Sequence, residues 1–544
     1  MKKSLVLVLL LCLAMVVFAG GAAEQTTVKA ETVSAAPKLA AQQIYKEGLL
    51  KAAQGQSSFI TTTAHRLDST VNEPMVSLMW NGDLKPLLAE SYEMQENGKV
   101  WIMHIRKNAK WHDGVDVTAA DVIFSYSAYA NPRVASRWTG KAQSILGFAD
   151  IASGKTDTLA GVTAIDDKTV RIELSVAMPL WMKLEQTFLV IFPNHLLGKV
   201  PADKLVAQDY WKNRVGTGPF KWAEYKPDQY IRLVRNENYY LGAPIFQELV
   251  YVIFGDVPSQ LNALASGQIH TTSYESNTIT PQEAATYEAM PNISVVTMSK
   301  GAPAFLTLNL NRKDWADKRV RQALNYAIDV PTIVNAIYPG AIAAPTLFPQ
   351  SWTWADDLND YAYNPEKAKA LLKEAGWTTR DVDFVYYHTD DLTKNLLVAI
   401  QQYLKAVGVN LVLRQVDPAY LTSFYTTNEF DMAFGGNGMG LDPVTAENLI
   451  TTGELLAMHY SNPTLDALMK QGKALASQAE RAPIYKQATK ILNEETPKVC
   501  LWYDIRNLGF NDKVVGPKQH WAEQGTIYFN QPIYNEIEKW YIVE

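Results

Sequence analysis

Apolar and polar positions change period several times along this 544-residue chain, and each change marks an element. Val100, Ile102, His104 and Arg106 alternate with Trp101, Met103 and Ile105, the two-residue period of a strand. The turn before it, Glu96-Asn97-Gly98-Lys99, carries the Asn-Gly pair that suits a type I′ hairpin. Thr118 predicts the cap of a helix beginning at Ala119, with Asp121 completing a shortened capping box. Gly216-Thr217-Gly218-Pro219 predicts a turn leading into a strand. Residues 259–267 predict a short helix with Leu261 and Leu264 inward and Gly267 as its stop. From Phe305 to Leu310 apolar character on both faces predicts a strand inside a sheet. Over 319–329, Val320, Ala323, Leu324, Ala327 and Ile328 share one helical face, as a core helix requires. Asn364 as cap and Pro365 at the first helical position open a further helix that stops at Gly376. Helices are predicted over 395–407, 461–476 and 479–494, and a strand over 410–415. Interleaved strands and helices mean a mixed α/β fold.

The first residues bear on the compartment. Lys2 and Lys3 precede an apolar run over 5–17, and small residues at 17 and 19 predict cleavage after Ala19. That run is shorter than the roughly 20 residues of a membrane span. Cys12 raises a lipid-anchor reading, but Leu11 before it is too large for the usual lipidation site. Residues 20–37 read as a flexible leader. Cleavage would leave Cys500 as the one cysteine, so burial rather than a disulfide must hold the fold. The formal charge is −6, and losing Lys2 and Lys3 takes it to −8. That acidity speaks against nucleic acid as a partner. Fourteen Trp and 27 Tyr make the chain rich in aromatic side chains.

Longer motifs carry a family resemblance. Residues 85–126, KPLLAESYEMQENGKVWIMHIRKNAKWHDGVDVTAADVIFSY, resemble the signature of the family 5 extracellular solute-binding proteins, the ligand-capturing components of ABC importers for peptides, nickel and oligosaccharides. Val215-Gly216-Thr217-Gly218-Pro219-Phe220-Lys221, the run 319–329 and the run 364–376 are similar to further segments of that family. The resemblance thins over 43–82 and in the last thirty residues. It implies a two-lobed periplasmic-binding-protein clamp with mixed sheets, one lobe discontinuous in sequence. One lobe would comprise 38–300 and 505–544, and the inserted lobe 301–504. Ligand would be enclosed by hinge closure and passed to a membrane permease, by a monomer with no cofactor, in the periplasm or at the extracellular surface. In this setting His112-Asp113-Gly114 reads as architectural rather than metal-binding.

The ligand is less clearly written. Peptide-binding members of the family anchor the ligand α-amine on an aspartate three residues before an Asp-Pro pair, because a buried ammonium must be paired. Asp442-Pro443 is present here, but Met439 occupies the anchoring position. The arginine that clamps an α-carboxylate in dipeptide-type members falls on Tyr387, or on His388 with a slip of one. Two readings follow. Asp431 or Asp442 serves as the amine anchor of an oligopeptide, or the ligand is an oligosaccharide whose rings stack on aromatics. For the second, Trp352, Trp354, Tyr386, Tyr387 and Trp502 are candidate platforms, and Asn437 could supply an amide. A packing role competes for each of these aromatics.

Other classes find less support. The eight His, at 65, 104, 112, 195, 270, 388, 459 and 520, include no i, i+4 pair, so a nickel-type metal carrier has no clustered ligands behind it. A secreted glycan-active hydrolase would need two carboxylates flanking a sugar bond. The paired acids at 166–167, 356–357, 390–391 and 494–495 sit in polar turns or at helix ends, where solvation and capping explain them. No nucleophile elbow or H-E-x-x-H zinc motif occurs. The expectation is a binding protein, not an enzyme.

Overall fold

The computed structural model describes residues 38–50, 57–60, 67, 69–79, 82–272, 279–417, 421–436, 438, 440, 442–516, 518–519 and 534–544. The expected signal and leader over 1–37, and the candidate residues Asn437 and Met439, lie outside these. The architecture is mixed α/β with several sheets, as the alternation of periods requires.

Strands Ala89–Gln95, Val100–Ile105, Thr169–Glu173 and Val162–Asp166 form an antiparallel sheet in that order. At its first hairpin Asn97 and Gly98 both take positive φ, as a type I′ turn demands. Glu96 does so too, and the ladder closes at Gln95 opposite Val100, so the loop holds four residues instead of two. Thr118 caps the helix Ala119–Ala130, its N–H donating to Asp121 Oδ2 at 2.8 Å. Asp121 also accepts the Asn194 N–H at 2.8 Å and the Trp111 indole at 3.3 Å, which ties the helix start to two neighbouring segments.

His112 bridges two of the family-like motifs. Its Nδ1 accepts the Gly216 N–H at 3.1 Å while Nε2 donates to the Gly218 carbonyl at 3.0 Å. Those contacts require the neutral ring, and burial lowers its pKa to about 4. Gly216 must be glycine here, because a Cβ would stand 1.8 Å from the Val71 carbonyl oxygen.

A second sheet orders Ile44–Leu50, Glu248–Phe254, Tyr230–Arg235 and Phe220–Lys226. The third is six-stranded: Ile342–Ala343, Lys498–Asn511, Ile293–Leu308, Met432–Gly436, Asp381–Tyr386 and Asn410–Gln415. Its last three strands run parallel to one another, and helices Lys318–Ala327, Pro365–Glu374 and Asp391–Lys405 supply buried apolar residues to its core. The helix at 391 starts four residues before the expected 395, because Asp390 accepts the Thr393 N–H at 2.8 Å and caps it.

The strands Ile293–Leu308 and Lys498–Asn511 are far longer than the sequence pattern announces. They pair antiparallel along most of their length, Ile293 opposite Asn511 and Thr307 opposite Lys498. Register slips between Ser299 and Pro303, so residues 300–302 face Asp504 alone. Bulges of this kind bend a strand and re-aim its side chains. Among the described residues no helix is long and apolar enough to cross a membrane.

Candidate functional site

Open α/β sheets bind ligands outside the carboxyl ends of their parallel strands. In the six-stranded sheet the strand Asp381–Tyr386 leads to Tyr387 and His388, and the strand Met432–Gly436 ends at Gly436 on the same side. The neighbouring long strands bring Ala304 opposite Gly436 and Trp502 opposite Ala304, so one row crosses three strands at this end.

A chain of rings lines the place. The Tyr387 and His388 rings stack at 4.2 Å, His388 meets Phe434 at 5.2 Å, and Phe434 meets Trp502 at 6.1 Å. Trp502 closes the inner end at 1% exposure, against Tyr338 at 6.2 Å. Tyr387 and His388 form the half-buried outer end. Burial lowers the His388 pKa, against the pull of Asp390 and Asp504. Its buried Nδ1 has no hydrogen-bond partner among the described residues. Burial, then the negative charge of Asp504, raises the Tyr387 hydroxyl.

The other candidates lie apart from this group. Trp354 stacks parallel on Tyr503 at 6.3 Å and donates its indole N–H to the Phe348 carbonyl at 2.7 Å. Tyr503 adjoins Trp502 in one strand, so the two rings point to opposite faces. Trp352 stands edge-on to Tyr485 at 5.7 Å, with the Arg481 guanidinium 5.8 Å from its ring centre. Both tryptophans are half-buried in packing contacts.

The two acids weighed as amine anchors are already engaged. Buried Arg481 grips both oxygens of Asp442, at 2.6 and 2.5 Å. Asp442 also accepts the Val444 N–H at 3.0 Å, and Arg481 donates onward to the Gly472 carbonyl at 2.9 Å and the Tyr485 hydroxyl at 3.1 Å. Such a forked, buried pair is costly to break, because it would leave a charge unpaired. Asp431 accepts from Arg380 at 2.9 Å and from the Asp383 N–H at 3.1 Å. It precedes the strand Met432–Gly436, and so sits at the far end of the sheet from the ring chain.

Two charged residues that the sequence reading passed over stand beside the rings. Asp504 accepts the Trp502 indole N–H at 3.1 Å, and Lys300 approaches its other oxygen at 3.3 Å. Alternation along the strand puts Trp502 and Asp504 on one face, which was the available signal. Among the described residues no three His, Cys, Asp or Glu side chains gather as metal ligands would.

The comparisons with known proteins give the class, the bacterial extracellular solute-binding proteins. A family model described as bacterial extracellular solute-binding proteins, family 5, middle, matches residues 83–453, and the chain belongs to that family. A Brucella ovis protein provisionally named an ABC transporter peptide-binding protein is 29% identical over 483 residues, 84% of this chain and 85% of the relative. The oligopeptide-binding protein AppA of Bacillus subtilis is 26% identical over 486 residues, 85% of this chain and 84% of the relative. Among solved structures, the ABC transporter substrate-binding protein CtaP of Listeria monocytogenes superposes with a TM-score of 0.78 at 24% identity, covering 92% of this chain and all of that one.

Proposed function

We propose that this protein is the substrate-binding component of an ABC importer and captures oligopeptides. The observation that carries the reading is the pair of relatives named for peptide binding, each aligned over more than four-fifths of this chain. Capture is by closure of two lobes, 38–300 with 505–544 and the inserted 301–504. The long strands Ile293–Leu308 and Lys498–Asn511 are the crossings between them, and the register slip at 300–302 is where they bend. Ligand seated beside Tyr387 and His388 favours the closed form through its greater affinity for that form. The closed form is then recognised by a membrane permease. Export through the segment 1–19 and a monomeric state belong to this reading. No bond is made or broken in it.

One observation favours a second reading. The stacked Tyr387 and His388 rings, half-open at the carboxyl end of their strand, are of the kind that carry sugar rings. A thermal-shift screen against matched panels of oligopeptides and β-linked oligosaccharides separates the two, since a ligand that binds only the native state raises the unfolding midpoint. Peptides are expected to raise it. A rise with sugars alone would overturn the peptide reading.

A further inference from the structure

Where the two long strands slip, the single residue Asp504 faces the three residues 300–302, and Gly301 takes a φ of 57°. Of the carboxylate's roughly four acceptor positions, one is used by the Trp502 indole at 3.1 Å and one by the Lys300 ammonium at 3.3 Å. The rest are open to solvent: the Asp504 side chain is 32% exposed and that of Lys300 22%. This contrasts with Asp442, whose partner is a rigid, buried guanidinium fork. A lysine is a point charge on a flexible stem and can be displaced without rebuilding the site. Asp390 and Arg506 complete the local charge around Tyr338, and Asp390, Asp504 and Lys300 together act on His388. Through Trp502, which meets Phe434 and so His388, the acid is linked to the outer ring pair at the register slip of the long strands.

We infer that Asp504 is the anchor for a ligand's ammonium group, taking the place of the aspartate that Met439 replaces. The arriving ammonium displaces Lys300, which turns to the ligand's anionic group, so that one ion pair is exchanged for two. The solute class is zwitterionic, a short peptide with a free N-terminus. This rests on the peptide reading above.

The test uses a peptide that raises the unfolding midpoint of the wild-type protein and the same peptide N-acetylated. Calorimetric titration with each should show acetylation weakening wild-type binding about tenfold or more, the loss of a charge-assisted contact. In Asp504→Asn the two forms should bind within about twofold of each other, and Asp504→Glu should restore part of the preference. Undiminished preference in Asp504→Asn, or equal wild-type binding of both forms, would overturn the assignment and leave peptide binding standing. If no peptide binds the wild type, the peptide reading fails first and takes the anchor with it. Should Asp504→Asn lose its unfolding transition, Lys300→Met carries the test. That variant loses both the competitor for Asp504 and the pair to the ligand's anionic group, so both peptides give up the second contact while only the free amine gains from the first. The preference for the free-amine form should widen, and an unchanged ratio refutes the anchor.

Discussion

Glu73 is buried and accepts hydrogen bonds from the Tyr239 hydroxyl at 2.6 Å, the Tyr240 hydroxyl at 2.7 Å and Thr217 at 3.3 Å. Burial outweighs these donors and raises its pKa from 4.5 to about 7. The unfolded chain gives up this proton near 4.5 and the folded one near 7, so unfolding releases protons within that window. The stabilisation is complete below the lower value and gone above the upper one, a fall of about 3 kcal/mol as pH rises. Glu73→Gln should remove that slope, so that denaturant unfolding finds the variant gaining on wild type between pH 5 and pH 8. Lys498 behaves in the opposite sense. Its ammonium donates to the Leu456 carbonyl at 2.7 Å, yet burial lowers its pKa from 10.5 to about 7. The cost is full below the folded value and disappears as pH rises toward the unfolded one. Lys498→Met should therefore gain more over wild type at pH 6 than at pH 10, read by the same titration of stability. Neither effect was legible in the sequence, because burial is set by neighbours such as Tyr239 and Leu456 that no local pattern brings near. Asp442 teaches the same lesson at the site: its Asp-Pro motif is plain, but Arg481, which occupies it, lies 39 positions along the chain.

Elements whose signals are local were read with little error. Asn364 accepts the Lys367 N–H at 2.9 Å and caps its helix as expected, and the strand Asn410–Gln415 matches to the residue. The two long paired strands were not foreseen in full. The sequence announces only the stretch from Phe305, because the slip at 300–302 breaks the two-residue period and makes the halves of Ile293–Leu308 look unrelated. The site shares that fate, since Lys300 and Asp504 meet only through the pairing of those strands. Turns with a steric demand can be tested directly. Gly216→Ala would drive its Cβ into the Val71 carbonyl and should destabilise by about 1–3 kcal/mol. A matched loss of the His112 contact to Gly216 would appear as a higher pKa for that ring by NMR titration.

At the scale of the molecule, Leu180 and Leu184, beside and within the short helix Trp181–Leu184, join an apolar cluster with Leu347, Phe348, Val444 and Leu449. In the proposed division this contact spans the two lobes. Leu184→Ala should then enlarge the radius of gyration of the ligand-free protein and weaken ligand binding. Small-angle scattering with and without a bound peptide measures the first effect, and an unchanged radius in both states would count against closure. The two ends of the described chain are joined more tightly still. Gln43 exchanges hydrogen bonds with Ile542, both at 2.8 Å, and Tyr534 donates to Glu47 at 2.6 Å. Lys85 reaches Glu538 at 3.2 Å. Contacts so distant in sequence form late, because the loop between them must be closed first. A ribosome that has made the strand Ile44–Leu50 must still make nearly five hundred residues before the partners of Gln43 near 542 emerge. Synthesis thus delays completion of the fold, and if the chain is exported as proposed, that delay keeps it threadable until the translocation machinery has taken hold.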